Sequence, residues 1–387
     1  MTSGAVNIEP ALAALAAALR GEGPAVELSA GADGSPAVRP VETPGVEDAA
    51  VVVRTSGSTG SPKATVLTVD ALAASSMATA MALKGEGQWL LALPVQFVAG
   101  VQVLVRSLFA GTRPWAMDLS GGFTPEAFTA AALELTDTVR LTSLVPTQLQ
   151  RLLETPSEQT LAVLRRFNAV LLGGAPASEA LLAAARDAGV RVVTTYGSAE
   201  TCGGCVYDGV PLDGVEARID SDGRILLGGA TIAAGYLGEP ALTASAFVEE
   251  DGVRWYRTND LGRLSPDGRL TVLGRADDVV ITGGVKVSAA QVQAELERLD
   301  GVRAAFVAGV PSAEWGHALA AYVVLTDDSP AAADAFKARF RPGGAGPLSG
   351  ALAPKTVLTA SELPMLPNGK PDRLAMSGRL DALHQGK

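Results

Sequence analysis

The sequence has few of the residues that most metal and redox sites require. Among its 387 residues are two histidines, His317 and His384, and two cysteines, Cys202 and Cys205. The cysteines form a Cys-Gly-Gly-Cys tetrad, a spacing that suggests a zinc or redox site. The chain has no second such pair and no thioredoxin-like context around this one. We therefore favour the alternative, in which the small residues of the tetrad line a pocket.

Long apolar runs and an excess of positive charge are also absent. Apolar residues make up 48% of the chain, but charges interrupt them, and no run reaches the roughly 18 residues that could span a bilayer. The first ten residues lack the basic and then apolar segments of a signal peptide. The formal net charge of −10 argues against a nucleic-acid surface, which needs a cationic stripe. We expect a cytoplasmic protein without a membrane span or a nucleic-acid partner.

One loop stands out by its composition. The run Thr55-Ser-Gly-Ser-Thr-Gly-Ser-Pro-Lys63 lies between two predicted strands. Its glycines let backbone N–H groups approach an anion closely, while the hydroxyls and the lysine add donors and charge. Pro62 and the strand that follows exclude a Walker loop, which opens a helix. A flexible linker is the alternative, but linkers are rarely bounded by two strands, so we predict a polyphosphate site formed by Thr55, Ser56, Gly57, Ser58, Thr59, Gly60 and Lys63.

The pattern of strands and helices predicts two domains, which the chain length also favours. From residue 51 to residue 196 strands and helices alternate, as is typical of a doubly wound α/β layer, and Thr124-Pro125-Glu126 is predicted to cap one of the helices. From Gly214 onward, short strands and Asp-Gly turns predict a β-barrel-like subdomain. We predict an α/β protein with a large N-terminal domain at 1–275 that includes this subdomain at 214–275, a hinge at 276–278, and a small, mobile α+β domain at 279–387.

Five further motifs follow the loop in a fixed order. They are Gly173-Gly-Ala-Pro176, Tyr196-Gly-Ser-Ala-Glu200, Tyr256-Arg-Thr-Asn-Asp260, Gly274-Arg-Ala-Asp-Asp278 and Leu366-Pro-Asn-Gly-Lys370. Together with the loop they resemble the motifs of the adenylate-forming superfamily, which includes acyl- and aryl-CoA ligases, luciferases and peptide-synthetase adenylation domains. The resemblance runs from about residue 50 to the C-terminus. It implies a ligase that activates a carboxylic acid with ATP and Mg²⁺ and transfers it to coenzyme A.

The resemblance also implies roles for residues that would bind the nucleotide. Glu200 would bind Mg²⁺, and Asp260, assisted by Arg275, would accept hydrogen bonds from the ribose hydroxyls. From the residues alone, the alternatives are a solvated loop carboxylate at Glu200 and a surface salt bridge between Asp260 and Arg275. The family usually has a threonine or serine before the glutamate; this chain has Ala199, and Thr201 is the substitute that we predict to contact the α-phosphate. The predicted contacts of the adenosine are Tyr196, Gly197, Gly174, Ala175 and Pro176.

The C-terminal motifs imply a second set of roles. Lys370 would bridge the attacking carboxylate and the α-phosphate, which makes Lys370 and Glu200 the predicted catalytic residues; an exposed lysine is otherwise a solvated charge. Asp277 would be the hinge about which the small domain rotates between the two half-reactions. After that rotation, Gly283, Gly284 and Lys286 would lie on the side of the coenzyme A thiol.

Arg106 is the residue that discriminates between substrates. It lies on an apolar predicted helix, where a cation needs a partner or an exposed end, and the alternative is that it snorkels to solvent. The segments 100–111 and 142–149 resemble the o-succinylbenzoate:CoA ligases of menaquinone biosynthesis, especially the compact actinobacterial type. That resemblance implies that one carboxylate of the substrate is adenylated while the other pairs with Arg106, with Ser143, Gly203 and Gly204 also at the acyl group.

Some alternatives stay open at this point. Many such ligases have a histidine between residues 94 and 100, where this chain has Gln96 and Phe97. The substrate is therefore o-succinylbenzoate or another carboxylic acid. A non-catalytic nucleotide-binding relative is the third hypothesis, and a homodimer is the oligomer that we consider.

Overall fold

The computed structural model describes residues 6–31, 34–55, 63–340, 348–366 and 371–386. In its first half, strands and helices alternate. The helices there are α1 (Glu9–Leu19), α2 (Val69–Leu83), α3 (Val98–Phe109), α4 (Pro125–Leu133), α5 (Pro146–Glu154), α6 (Glu158–Arg165) and α7 (Glu179–Asp187). The strands are β1 (Ala25–Ala30), β2 (Pro36–Val41), β3 (Ala49–Thr55), β4 (Lys63–Thr68), β5 (Gln88–Leu91), β6 (Trp115–Ala116), β7 (Arg140–Leu144), β8 (Ala169–Leu172) and β9 (Val192–Ser198).

The second half is richer in strands. These are β10 (Gly203–Tyr207), β11 (Val210–Pro211), β12 (Val215–Ile219), β13 (Arg224–Gly229), β14 (Gly235–Tyr236), β15 (Phe247–Glu250), β16 (Val253–Leu264), β17 (Leu270–Arg275), β18 (Val279–Thr282), β19 (Val285–Ser288), β20 (Val302–Ser312), β21 (Gly316–Leu325) and β22 (Thr356–Ala360). The helices are α8 (Pro240–Ala246), α9 (Ala289–Glu297), α10 (Pro330–Ala338) and α11 (Arg373–Gln385). Three short 3-10 turns lie at Ala199–Thr201, Ala276–Asp278 and Gly350–Leu352.

A seven-stranded sheet forms the centre of the larger part, in the order β11-β10-β9-β8-β7-β5-β6. The strands from β6 to β9 are parallel. Their side chains alternate between two cores: Trp89 and Leu141 pack on the face that holds α2 and α3, and Leu90 and Leu144 pack on the face that holds α4 to α7. Because both faces are covered by helices, the loops at the carboxyl ends of the strands form one open edge.

Two further sheets flank this edge. One has the order β14-β4-β3-β1-β2, in which β14 joins the hairpin formed by β3 and β4. The other is antiparallel and has the order β12-β13-β16-β15, and β17 also pairs with β16. It occupies the predicted β-rich stretch, and it places Asp260 opposite Arg275.

The last part of the chain is a smaller α+β unit. Its sheet has the order β19-β18-β21-β20, and β22 runs parallel to β21. One face packs Val292 and Leu296 of α9, and the other packs Met376 and Leu380 of α11. This architecture confirms the predicted fold class, an α/β protein followed by a smaller α+β unit. Over the described residues, no helix combines the length and the apolar character needed to cross a bilayer.

Candidate active site

The two ends of the predicted polyphosphate loop lie side by side. Thr55 ends β3 and Lys63 begins β4, and the two residues are paired in the antiparallel register. Lys63 Nζ lies 5.1 Å from the centre of the Tyr236 ring, which reaches it because β14 pairs with β4. The predicted ligands in between lie outside the described residues, so their role stays a prediction; they are Ser56, Gly57, Ser58, Thr59 and Gly60.

Glu200 is a buried carboxylate at the carboxyl end of β9. It lies in the turn Ala199–Thr201 and is 7% exposed. The Tyr236 hydroxyl donates a hydrogen bond of 2.8 Å to Glu200 Oε1, and the Ala233 N–H donates one of 2.9 Å to the Glu200 carbonyl. Burial and the charge of Glu200 raise the pKa of Tyr236, so its hydroxyl stays a donor. These contacts argue against a solvated loop carboxylate.

A single buried carboxylate suits a magnesium ion that arrives with a nucleotide. Mg²⁺ is usually held by one or two carboxylates, water and the phosphates of a substrate. Within the described ranges, no three His, Cys, Asp or Glu side chains lie together in a way that could hold a metal. Glu200 therefore fits an ion shared with phosphate oxygens better than it fits an all-protein metal site.

Asp260 and Tyr196 form a second polar pair at this edge. The Tyr196 hydroxyl donates a hydrogen bond of 2.7 Å to Asp260 Oδ2. Burial raises the pKa of Asp260, although the Tyr196 hydrogen bond and the Arg275 charge act to lower it. Burial and the charge of Asp260 in turn raise the pKa of Tyr196, so the phenol stays protonated. The structure thus brings together two residues predicted to contact the nucleoside.

Arg275 forms its ion pair with the predicted hinge residue. Its Nε donates to Asp277 Oδ1 at 2.8 Å, and its Nη2 donates to Asp277 Oδ2 at 2.9 Å. Burial acts to raise the pKa of Asp277, but the hydrogen bond and charge of Arg275 outweigh it, and the pKa is lowered. The salt bridge considered as an alternative, between Asp260 and Arg275, thus gives way to a bidentate pair within residues 275–277.

The loops after β8 and β9 bring backbone to this edge. Gly174 has a φ of +82°, and the segment Gly174-Ala175-Pro176 follows β8, the neighbour of the strand that carries Tyr196. A Cβ on Gly197 would lie 2.1 Å from the Gly203 carbonyl oxygen, so this close strand contact requires a glycine. The predicted backbone contacts therefore lie along the same edge as Glu200.

Thr201 does not fit the role predicted from the sequence. It is fully buried, and its hydroxyl accepts a hydrogen bond from the Ser198 N–H at 2.9 Å and donates one to the Gly203 carbonyl at 2.7 Å. The hydroxyl thus closes its own turn and is not presented to an α-phosphate. Thr201 is a structural residue of the Glu200 turn, and it does not replace the hydroxyl that Ala199 lacks.

Arg106 is buried at the end of α3, with 7% of its surface exposed. Its guanidinium carbon lies 5.5 Å from the centre of the Trp89 ring, and its Nε has no hydrogen-bond partner among the described residues. Beside it is a cavity of about 20 Å³ lined in part by Ser76, Thr79 and Glu86. The burial argues against snorkelling, and it leaves a cation in the interior with unused donor capacity.

The other predicted acyl-pocket residues lie on the same side of the central sheet. Ser143 is 7% exposed and, by strand alternation, shares a face of β7 with Leu141, which packs with α3. A Cβ on Gly203 would lie 3.4 Å from Gln102 Cγ on α3. A Cβ on Gly204 would lie 2.9 Å from Thr195 Cβ. Gly204 therefore allows Thr195 to approach closely, and Gly203 has a φ of +91°, which favours glycine.

Three of the residues predicted for the coenzyme A side lie together at the surface of the C-terminal part. Gly283 and Gly284 form the exposed turn between β18 and β19, with φ values of +56° and +82°, and Lys286 is exposed on β19. Lys370 lies outside the described residues, so its role stays a prediction. The residues that flank its segment are paired: Met365 bridges Pro371, and the Asp372 N–H donates to the Pro364 carbonyl at 2.8 Å.

The cysteine tetrad has no metal-binding partners within the part of the chain that the structure describes. Both thiols are free and buried. Burial raises the pKa of Cys202 and raises that of Cys205 to about 12, so neither is a thiolate at neutral pH. This environment supports the expected structural role.

Comparisons with known proteins identify the family to which the chain is similar. The family model described as AMP-binding enzyme matches residues 7–237, and the model described as AMP-binding enzyme C-terminal domain matches residues 291–370. A curated relative, the probable 2-succinylbenzoate--CoA ligase of Mycobacterium tuberculosis, is 42% identical over 336 residues, which is 86% of this chain and 85% of the relative.

Two solved structures are similar to the chain along most of its length. MatB from Rhodopseudomonas palustris with bound ATP superposes with a TM-score of 0.73 at 27% identity, and covers 87% of this chain and 69% of that one. The o-succinylbenzoate CoA synthetase MenE from Bacillus subtilis, in complex with the acyl-adenylate intermediate OSB-AMP, superposes with a TM-score of 0.69 at 26% identity. The superposition covers 88% of this chain and 70% of the MenE chain.

Proposed function

Because the chain belongs to the AMP-binding enzyme family, we propose that it is an ATP-dependent ligase that joins o-succinylbenzoate to coenzyme A. The reaction proceeds through an acyl-adenylate and releases pyrophosphate and then AMP, as a step of menaquinone biosynthesis. The same acid is named for the relative from M. tuberculosis and for the structure from B. subtilis. The observation in this chain that carries the assignment is the buried, incompletely paired cation of Arg106.

Arg106 supports a substrate with two carboxylates. A buried guanidinium with an unsatisfied Nε is costly unless a ligand supplies the missing acceptor. o-Succinylbenzoate has one carboxylate to be adenylated and a second to pair with Arg106, and Ser143 lies on the same side of the sheet. A bidentate guanidinium–carboxylate pair also fixes the orientation of the acid, so that the reacting carboxylate points to the strand edge.

The nucleotide fits along that edge. The polyphosphate would bind at the 55–63 loop beside Lys63. Asp260 would accept hydrogen bonds from the ribose hydroxyls in addition to the one that its Oδ2 accepts from the Tyr196 hydroxyl. The adenine would lie between Tyr196 and the backbone of 174–176. Mg²⁺ held by Glu200 would neutralise the crowded phosphate oxygens. Tyr236 keeps the Glu200 carboxylate oriented for this by its 2.8 Å hydrogen bond.

The C-terminal part would supply the remaining group. Lys370 would stabilise the charge that builds as the carboxylate attacks the α-phosphorus. Rotation about Asp277 would then replace Lys370 by the Gly283–Lys286 turn, next to which the coenzyme A thiol attacks the acyl-adenylate. The bidentate pair between Arg275 and Asp277 joins the predicted ribose site to this hinge.

A cytoplasmic location and a homodimer remain part of the proposal, and light scattering checks the oligomeric state.

Pyrophosphate release across a panel of acids tests this function. With ATP, Mg²⁺ and coenzyme A, o-succinylbenzoate should be turned over far faster than benzoate or succinate. Equal turnover of benzoate would make the protein a ligase for another acid. No release with any acid, despite ATP binding, would make it a non-catalytic relative.

A further inference from the structure

The carbonyl oxygen of Cys202 is a point where α2, α3 and the Glu200 turn meet. It accepts a hydrogen bond of 3.1 Å from Ser75 Oγ on α2 and one of 2.5 Å from Gln102 Nε2 on α3. Gln102 Nε2 also lies 3.2 Å from Ser75 Oγ. Ser75 and Gln102 are each 1% exposed, and Cys202 is fully buried. Two buried donors on one carbonyl hold the backbone at that point in a single position.

The backbone held in this way is the end of the turn that carries Glu200. Cys202 directly follows Ala199–Thr201, and its N–H donates to the Ala199 carbonyl at 3.1 Å. Its φ of +52° lies in the left-handed region, which residues with a side chain rarely adopt. The other anchors of Glu200 are Tyr236 and Ala233. Thr201 also closes the turn with its own hydrogen bonds, so loss of a donor at Cys202 would loosen this end of the turn without releasing it.

Gln102 also lies on the side of the acyl group. It precedes Arg106 by four residues, so the two side chains share a face of α3. Gln102 Oε1 and Arg106 Nε are both buried without a hydrogen-bond partner among the residues described. Gln102 Cγ lies against Gly203, which begins the strand after the turn. The Gln102 side chain thus lies on the helix face proposed to contact the acid, and it also donates to the Cys202 carbonyl, which follows Glu200.

We propose that Gln102 is a positioning residue that fixes Glu200 relative to the acyl group, with Ser75 as its second support. This inference rests on the proposed function, because it takes Glu200 as the carboxylate that binds the magnesium of Mg·ATP. Gln102 acts through the Cys202 carbonyl and contacts neither the metal nor the phosphates. A leucine at this position keeps most of the volume and removes the donor.

Three variants separate this role from general packing. Q102L and S75A each remove one donor to Cys202. S107A is the matched control, because Ser107 is fully buried on α3, the helix that carries Gln102, but its hydroxyl donates to the Val103 carbonyl of its own helix, at 2.8 Å.

Calorimetric titration with ATP, at several Mg²⁺ concentrations and in EDTA, is the test. We expect Q102L to raise the Mg²⁺ concentration needed for half-maximal ATP affinity by about 10-fold and S75A by about 3-fold, because each loses one hydrogen bond that orients Glu200. S107A should match the wild type, and ATP affinity in EDTA should be the same in all four proteins.

An unchanged Mg²⁺ requirement in Q102L and S75A would overturn the proposal, and so would an equal loss of ATP affinity with and without Mg²⁺. Thermal unfolding identifies a Q102L protein that does not fold, in which case the comparison of S75A with S107A decides. If the wild type binds Mg·ATP but releases no pyrophosphate with o-succinylbenzoate, the proposed function is contradicted. The comparison of Mg²⁺ requirements would still show whether Gln102 positions Glu200.

Discussion

At the scale of single residues, the chemistry of the site depends on a few buried polar side chains. Arg106 was identifiable from the sequence because it interrupts an apolar helix, and Glu200 and Asp260 because they stand in motifs that resemble those of the adenylate-forming superfamily. Tyr236 was not, since only the pairing of β14 with β4 brings it to Glu200. Thr201 was assigned wrongly, because a hydroxyl beside a glutamate can face either the cleft or its own turn, and composition does not distinguish the two.

Replacement of Arg106 should abolish selectivity for the dicarboxylate. R106L is expected to lower kcat/KM for o-succinylbenzoate by roughly 100-fold, because it removes the buried charge that we propose pairs with the second carboxylate of the substrate. Slow turnover of a monocarboxylate such as benzoate should change little. R113L is a suitable control, since the Arg113 side chain is 79% exposed and pairs with Glu9. An equal loss for both acids would show that Arg106 does not read the second carboxylate.

Nucleotide binding should depend on the protonation of Asp260. Ribose hydroxyls donate to the ionised carboxylate, so AMP affinity should fall as the pH drops through the Asp260 pKa, which burial raises above its ordinary value. In Y196F that pKa should rise further, because the hydrogen bond that lowers it is gone. AMP titrations over pH should therefore show the loss of affinity beginning at a higher pH in Y196F. A shift to lower pH would contradict this account.

Removal of the Tyr236 hydroxyl should weaken the hold on Glu200. Y236F keeps the ring beside Lys63 and deletes the donor to Oε1, so we expect adenylate formation to slow by about 10-fold or more. Y207F serves as a control, because the Tyr207 hydroxyl is also buried but lies 3.0 Å from Thr79 Oγ1. Equal rates in Y236F and wild type would show that Glu200 needs no such anchor.

At the scale of helices and strands, features that depend on neighbouring residues could be predicted from the sequence better than features that depend on the pairing of distant strands. Thr124-Pro125 was expected to begin a helix, and α4 begins at Pro125 with the Thr124 hydroxyl accepting from the Ala127 N–H at 3.2 Å. Such caps depend on neighbouring residues only. The position of Arg275 depends instead on the register between β16 and β17 and on the turn that follows, so its bidentate pair with Asp277 could not be predicted.

The cap on α4 gives a prediction about stability alone. T124A should lower the free energy of unfolding by about 1 kcal/mol, because an N–H of the first turn loses its acceptor. T124S, which keeps the acceptor, should restore most of it. Urea denaturation measures both, and pyrophosphate release should be unchanged in both. A slower reaction in T124A would mean that α4 has a part in catalysis that the fold does not suggest.

At the scale of the whole molecule, the order of motifs predicted the architecture. Alternating strands and helices, then short strands, then a compact α+β segment appear in the structure in that order. What the sequence could not provide is how the sheets meet: Glu200 follows the central sheet, Lys63 and Tyr236 belong to the β14-β4 pair, and Asp260 belongs to the antiparallel sheet. The site exists because three sheets converge at one edge.

The division of work between the two parts of the molecule predicts separable half-reactions. K370A should slow adenylate formation by roughly 10³-fold, since it would remove the charge that we propose stabilises the attack on the α-phosphorus. Thioester formation from supplied o-succinylbenzoyl-adenylate and coenzyme A should persist. Separate assays of the two steps check this. Equal loss of both would contradict the rotation proposed about Asp277.

The most direct measurement is mass spectrometry of the wild-type protein incubated with ATP, Mg²⁺ and o-succinylbenzoate in the absence of coenzyme A. The account predicts that o-succinylbenzoyl-adenylate accumulates on the enzyme and is converted to the thioester when coenzyme A is added. If ATP binds but no adenylate of this acid forms, the proposed reaction is contradicted.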